Sequence, residues 1–478
     1  MSTIPIWLAT YPPMVDIPMH ATQMATLLRL LSGTEYFSSL YWINGFTPYW
    51  SGYVITALWT LIFPVSIAIK CTLSIAVAAT PWAASRLRTL VNNRSHLDWL
   101  FLPIGYGFAF QWGFFNFIIG IPLTLLFLEY ALRYLANPTV KKGIFIFIGT
   151  HLLFTTHILL LGFFLSIVVS IEMLTTKNLK QSLIKLMPLF LSLPVVAIWF
   201  LHTKLTEPQV STPITWIITS QRLIDAFITP TGSFNQWAII LICAAIIYKP
   251  PYLPNINIFK NWQAIPFVYS VLITFYGPAY AFGTAYICER FGVFLLPFYA
   301  FSCKSNAAKP SPQNSKLCFA FSFLILIGNA YQTISFEKNL SGFKKISKII
   351  PQNKKVISLI YDFKTPDYSP PIFLHIASWY FAEKDGQGDI SFSSFNAIVR
   401  YKRNIPTIQS DIQDAIQDRP QLFNWDKDAH LYDYYILHGD FSKFNSTYKG
   451  IRKFSKLIYT DGIWWLYARK SIPDQPQN

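Results

Sequence analysis

Charged residues are scarce in this chain. They make up 13% of its 478 residues, about half the share usual in a soluble globular protein, while 53% are hydrophobic. Acids are scarcer still over the first two thirds. Eight of the 23 precede residue 336: Asp16, Glu35, Asp98, Glu129, Glu172, Glu207, Asp225 and Glu289. That excludes an ordinary soluble domain there and turns attention to membrane spans. Cysteine is sparse as well. Cys71, Cys243, Cys288, Cys303 and Cys318 all lie in or beside apolar segments. None falls in the polar C-terminal region, so no disulfide framework supports it, and the five read as small packing residues. No ordinary signal peptide is visible, because Ser2 to Thr10 is apolar but short and no basic residue precedes it. There is no internal repeat and no low-complexity tract. The net charge of +16 is not read as a nucleic-acid signature, since its distribution reports topology instead.

What is present begins with Tyr11 to Leu31. Pro12, Pro13 and Pro18 mark an exposed turn that holds Asp16 and His20. From Pro18, apolar residues recur at helical spacing (Met19, Met24, Leu27, Leu28, Leu31), which predicts an amphipathic helix lying in the membrane interface. Residues 34 to 50 are rich in Tyr, Trp and Phe and suit an interfacial loop. Tyr53 to Phe63 is half a span long and reads as a second interfacial helix ending at Pro64. Ten apolar spans follow, over about 66–87, 99–112, 114–134, 143–157, 158–176, 183–202, 235–248, 264–281, 288–303 and 317–334.

Charge orients these spans. With the first loop outside, fourteen basic residues fall at inside ends and loops, among them Arg86, Arg88, Arg133, Lys142 and Lys185. Five fall outside: Arg29, Lys70, Lys204, Arg222 and Arg290. That is a positive-inside bias. The same assignment puts the C-terminal region outside. It also leaves the N-terminus outside with no preceding span to deliver it, so a further transmembrane helix is expected upstream of Met1.

From about residue 336 the composition becomes polar. Residues 356–362 read as a buried strand, Ile372 to Ala382 as a short helix, and Tyr434 to Leu437 and Ile463 to Ala468 as strands. The tail from Ile472 reads as frayed. The fold class expected is therefore a polytopic α-helical membrane protein with a small C-terminal α/β extracytoplasmic domain. Its parts are a first extracytoplasmic loop with interfacial helices (1–65), a transmembrane domain of about ten spans (66–335) and the α/β domain (336–478).

The first loop has the pattern Pro-x-x-Asp-x-Pro-x-His at Pro13, Asp16, Pro18 and His20, and Trp112 to Phe117 reads Trp-Gly-Phe-x-Asn-Phe. In these motifs and in its order of features the chain resembles the GT-C superfamily of integral-membrane glycosyltransferases. The closest likeness is to bacterial members of the polyprenyl-phosphate-sugar-dependent mannosyltransferase type. The resemblance implies transfer of a sugar from a polyprenyl-phosphate carrier to a glycan, lipid or protein acceptor on the outer side of a bacterial inner membrane. No cofactor and no metal are expected.

The residue chemistry agrees with that implication and leaves alternatives open. A carboxylate such as Asp16 can take the proton of an attacking hydroxyl, and one base with direct displacement inverts the anomeric centre. Its structural alternative is a helix N-cap. His20, four residues on, would support Asp16 or the substrate by hydrogen bonding. Metal binding is disfavoured because no Asp-x-Asp pair accompanies it. Lys70 and Arg290 stand at outer span ends, where they can stabilise the leaving phosphate or simply snorkel to lipid headgroups. Asn116 binds sugar hydroxyls or caps a helix. His157 binds substrate or packs helices. The aromatics from Tyr36 to Trp50 stack on sugars or form an interfacial belt. His375, His430 and His438 are scattered and show no catalytic constellation. The competing functions are a lipid-linked glycan transporter or flippase, an O-antigen ligase or polymerase, and a catalytically inactive relative of the GT-C enzymes. Spans nearly free of charge at their centres favour the enzyme over a transporter.

Overall fold

The computed structural model describes residues 1–91, 96–206, 213–222, 261–281, 284–303, 312–365, 370–388, 391–394, 397–402, 416, 419–445 and 448–470. The span expected over 235–248 and the tail from residue 472 lie outside these residues. The described residues are mostly helical, with a small sheet region near the C-terminus. The chain divides into two compact units. The first comprises Met1–Leu8, Phe46–Ile55 and Lys70–Tyr331, and the second Ala9–Gly45, Thr56–Ile69 and Gln332–Asn478.

Among the described residues, four helices are long and apolar enough to cross a membrane: Val65–Arg88, Phe115–Ala136, Ile158–Thr175 and Pro312–Asn339. Leu179–Phe190 and Leu193–Leu205 pass the same test as a pair bent by 51°. Pro188 and Pro194 flank the break, and each lacks the N–H that would continue the helical ladder. All five lie where apolar runs predicted them.

Three other expected spans take a different form. Residues 99–112 do not make one helix. They fall across two 3₁₀ turns, His96–Phe101 and Ile104–Tyr106, and a short helix, Phe108–Trp112. Pro103, Gly105 and Gly107 interrupt the run, which mean hydropathy does not register. In 264–281 the helix Ile265–Tyr276 has 12 residues and stops at Gly277 before Pro278. In 288–303 three short pieces succeed one another, Ile287–Arg290, Phe291–Phe294 and Leu295–Ser302. The segment 143–157 is a 17-residue helix, Val140–Thr156.

Packing within the first unit is tight where glycine meets a large side chain. A Cβ at Gly149 would overlap the Phe127 ring, so the two helices approach over that glycine. Phe163 lies against Phe291, Phe294 and Phe298, at centroid distances of 4.8, 5.1 and 6.1 Å. On the Val140–Thr156 helix, Ile144, Ile148 and Leu152 form an exposed apolar stripe at a spacing of four. Such stripes mark surfaces that meet lipid or another apolar partner.

Three acids of this unit are held by cations. Glu129 accepts from Arg86 at 2.9 Å and from Arg133 at 3.0 Å. Asp98 receives both arms of Arg88, at 2.5 and 2.6 Å. Glu172 pairs with Lys185 at 3.2 Å. Pairing offsets the large cost of burying a carboxylate.

The second unit is built on a four-stranded sheet in the order Val356–Ile360, Tyr434–His438, Trp464–Arg469, Ser455–Thr460. The first pair is parallel and the other two are antiparallel. Ile357, Leu359, Tyr435, Leu437 and Tyr467 share its core with Trp425, Tyr432 and Phe444. A two-stranded sheet pairs Tyr41–Ile43 with Val399–Tyr401.

The helix Ser341–Ile349 crosses this sheet at Gly342. A Cβ there would lie inside van der Waals contact with the Trp464 indole and the Asp461 carboxylate. The Trp464 indole N–H donates to the Asn339 carbonyl at 2.9 Å, so the ring has little room to yield. Gly342→Ala is expected to destabilise this unit by about 1–3 kcal/mol, the usual cost of overpacking. The check is the denaturant midpoint followed by tryptophan fluorescence, and an unchanged midpoint would show that the crossing is loose.

Candidate functional site

In the second unit the candidate centre is Asp16. The Ile17–Leu31 helix starts immediately after it, with Pro18 in the first turn, as the Asp-x-Pro spacing predicted. Asp16 stands at the N-cap position, but its side chain makes no capping hydrogen bond. The carboxylate instead has His375 beside it, with Nε2 3.4 Å from Oδ1. His20 is one turn along the same helix, half-buried, its ring edge-on to Phe392 at 4.9 Å.

Four sets of contacts hold this helix and the turn before it to distant parts of the chain. Tyr11 stacks on Trp379 at 4.3 Å, and its hydroxyl donates to Glu383 Oε2 at 2.7 Å. The Thr22 hydroxyl donates to the Ser378 carbonyl at 2.8 Å. Buried Gln23 bonds both backbone groups of Val399, accepting from its N–H at 2.9 Å and donating to its carbonyl at 3.1 Å. Arg29 closes the far end with a bidentate pair to Asp385, at 2.9 and 2.6 Å.

His375 was not expected here. It sits in the turns that follow Pro370–Pro371 and lead into the Ser378–Lys384 helix. Its ring is buried, and Nδ1 has no hydrogen-bond partner among the described residues. Burial pushes the imidazole down to about 3, so it is neutral at physiological pH. Burial lowers His20 to about 3 as well. The Glu383 carboxyl moves the other way, raised chiefly by burial and partly offset by the Tyr11 hydroxyl. No sequence spacing links His375 to Asp16. The one available signal was the Pro-Pro pair, which fixes a turn ahead of a short helix.

The other expected residues belong to the first unit. Arg290 ends the Ile287–Arg290 helix. It is buried, its guanidinium lies 3.5 Å over the Phe114 ring, and it donates to the Ala285 carbonyl at 2.9 Å. Trp112 packs on Tyr286 at 4.3 Å beside Phe108, so the Trp112 to Phe117 run contributes an aromatic wall next to the cation. Tyr286 has φ of +54°, a left-handed conformation that costs a non-glycine residue and often marks a functional turn.

Tyr49 and His157 meet edge to face at 5.3 Å, and Phe117 meets both His157, at 5.2 Å, and Phe291, the residue after Arg290, at 5.5 Å. His157 joins two helices and accepts the Leu159 N–H on Nδ1 at 3.3 Å. The Asn116 side chain accepts the Gly52 N–H at 2.9 Å, tying down a backbone that a Cβ would push away. Lys70 is buried in the Val65–Arg88 helix, its ammonium 5.6 Å over the Trp7 indole. Among the described residues, no group of three His, Cys, Asp or Glu side chains is placed to hold a metal ion.

No protein-family model matches the chain, and no curated protein matches it.

The two histidines set a pH dependence. Unfolded, each titrates near 6.5, while folded each stays neutral down to about 3. The unfolded state therefore binds more protons between those values. The stability they contribute is present above about pH 6.5 and is lost as pH falls toward 3. Raised Glu383 opposes part of this trend. Denaturant midpoints measured from pH 7.5 to 4.5 should fall, and the fall should be shallower when both histidines are changed to Gln. Equal slopes would show that burial does not hold them neutral.

Proposed function

We propose that the protein is an integral-membrane glycosyltransferase of the GT-C kind, acting on a polyprenyl-phosphate-linked sugar at the outer face of a bacterial inner membrane. The observation that carries this reading is Asp16. It occupies a cap position yet is not used as a cap, and it faces an imidazole rather than the helix N-terminus. Its side chain is 17% exposed, enough to meet a hydroxyl. The exposed apolar stripe on the Val140–Thr156 helix supports a membrane setting.

The reaction follows from the residue types. Asp16 accepts the proton as the acceptor oxygen forms its bond to the anomeric carbon. The bond from that carbon to the phosphate oxygen breaks on the opposite side, so the centre inverts. The leaving polyprenyl phosphate gains negative charge, which a cation stabilises; Arg290 and Lys70, both in the first unit, are proposed for that role by residue type alone. The aromatic wall of Trp112 and Tyr286 keeps the surroundings of Arg290 apolar.

Transfer from a panel of polyprenyl-phosphate sugars, with the full chain in lipid nanodiscs, tests the reading. Asp16→Asn should lower turnover by about 10²–10⁴-fold, the usual contribution of a general base. Undiminished turnover would remove Asp16 from the chemistry. Arg290→Gln should cost about 10²–10³-fold, as loss of a charge-stabilising donor does. An unchanged rate in that variant would assign the cation to packing against Phe114.

A further inference from the structure

We propose that His375 is a positioning residue for Asp16: its Nε2–H is donated to the carboxylate, fixing the orientation of that group and favouring its ionised form. The inference rests on the glycosyl-transfer reading for its catalytic consequence, though not for the pairing itself.

Three observations converge on it. The Asp16 and His375 side chains meet at 3.4 Å through Oδ1 and Nε2. The two residues come from opposite ends of the sequence, and the helix contacts made by Tyr11, Thr22 and Gln23 bring them together. The imidazole is buried and neutral. A neutral imidazole carries a single N–H. Nδ1 has no acceptor or donor partner among the described residues, so a proton there would meet none. Nε2 is the ring nitrogen that lies beside a carboxylate oxygen, 3.4 Å away. The tautomer that the surroundings favour is therefore the one that donates to Asp16.

The consequence is chemical. A hydrogen bond donated to a carboxylate stabilises its ionised form and lowers its pKa. It also holds the group in one rotamer, so that the reacting oxygen is presented in a constant geometry. A contact of 3.4 Å is long for a finished bond, and such contacts shorten when substrate binds. A neutral donor suits this task better than a cation, because it leaves the pair with a net negative charge that can receive a proton.

The test compares wild type, His375→Leu and His375→Gln in the full chain. Gln keeps an N–H donor near the position of Nε2, and Leu keeps only bulk. The first readout is independent of activity: the Asp16 carboxyl pKa, followed by ¹³C NMR of Asp-labelled protein. The titratable groups on the elements packed around the pair, His20, Tyr11 and Glu383 among them, are common to all three proteins, so differences between them report position 375. The Leu variant should raise the Asp16 pKa by about one unit, and Gln should restore it. The acid limb of kcat/KM should move up by the same amount in Leu. Turnover in Leu should fall about tenfold or more, with KM for the donor unchanged.

Equal Asp16 pKa values in wild type and Leu would overturn the pairing, as would a folded Gln variant as impaired as Leu. Should Leu fail to fold, the ¹⁵N shifts of His375 in wild type decide the matter, because a proton on Nδ1 overturns the proposal. If Asp16→Asn is inactive while His375→Leu keeps the wild-type pH profile, the transfer reading stands and the pairing falls. If wild type transfers no sugar, the transfer reading falls and the carboxyl titration still decides the pairing.

Discussion

The second unit depends on the docking of the Ile17–Leu31 helix against the Ser378–Lys384 helix and the Val399–Tyr401 strand. Apolar contact supplies the area, with Trp379 fully buried and Tyr11 stacked on it. Direction comes from polar contacts. Gln23 is the clearest case, since its amide both donates to and accepts from one backbone residue in the way a neighbouring strand would. Leaving those backbone groups unpaired in a buried place would cost about 1–3 kcal/mol each. The helix can therefore sit in one rotation about its axis, and that rotation faces Asp16 toward His375.

Much of the helical framework was legible in the sequence. Long apolar runs predicted five of the segments, because an unbroken run of that length has few other solutions. The start of the helix at Ile17 was legible from Asp16 and Pro18, which together limit where a first turn can form. Residues 99–112 were misread because apolar content outweighed Pro103, Gly105 and Gly107. The strand Ser455–Thr460 was missed since its outer position leaves most of its side chains exposed, removing the buried pattern that marks strands. The Tyr41–Ile43 strand is three residues long, and its aromatics suited an interfacial loop equally well.

The candidate residues of the two units divide in the same way. Asp16, His20 and Arg290 were singled out because short motifs or span ends carry them. His375 was invisible because its significance is a contact across 359 positions, and no local periodicity encodes that. Trp112 lies in a recognisable motif, but its partner Tyr286 was not marked. The strained backbone at Tyr286 is a property of coordinates and leaves no trace in composition. The same holds for the clasp made by Gln23, since a lone glutamine in an amphipathic helix reads as a solvent-facing residue until its partner is seen.

The sequence distance across the docked helix has a bearing on how the protein is made. Thr22 and its partner Ser378 are 356 residues apart, and Tyr11 and Glu383 are 372 apart. At roughly 5–20 residues per second, a ribosome reaches the later segment some 20–70 seconds after releasing the earlier one. During that interval the amphipathic segment has no protein surface for its apolar face, and Gln23 has no backbone to clasp. Closure of this unit therefore waits for the chain's last third, and the Asp16 neighbourhood is completed only when Ser378 and Glu383 have been made.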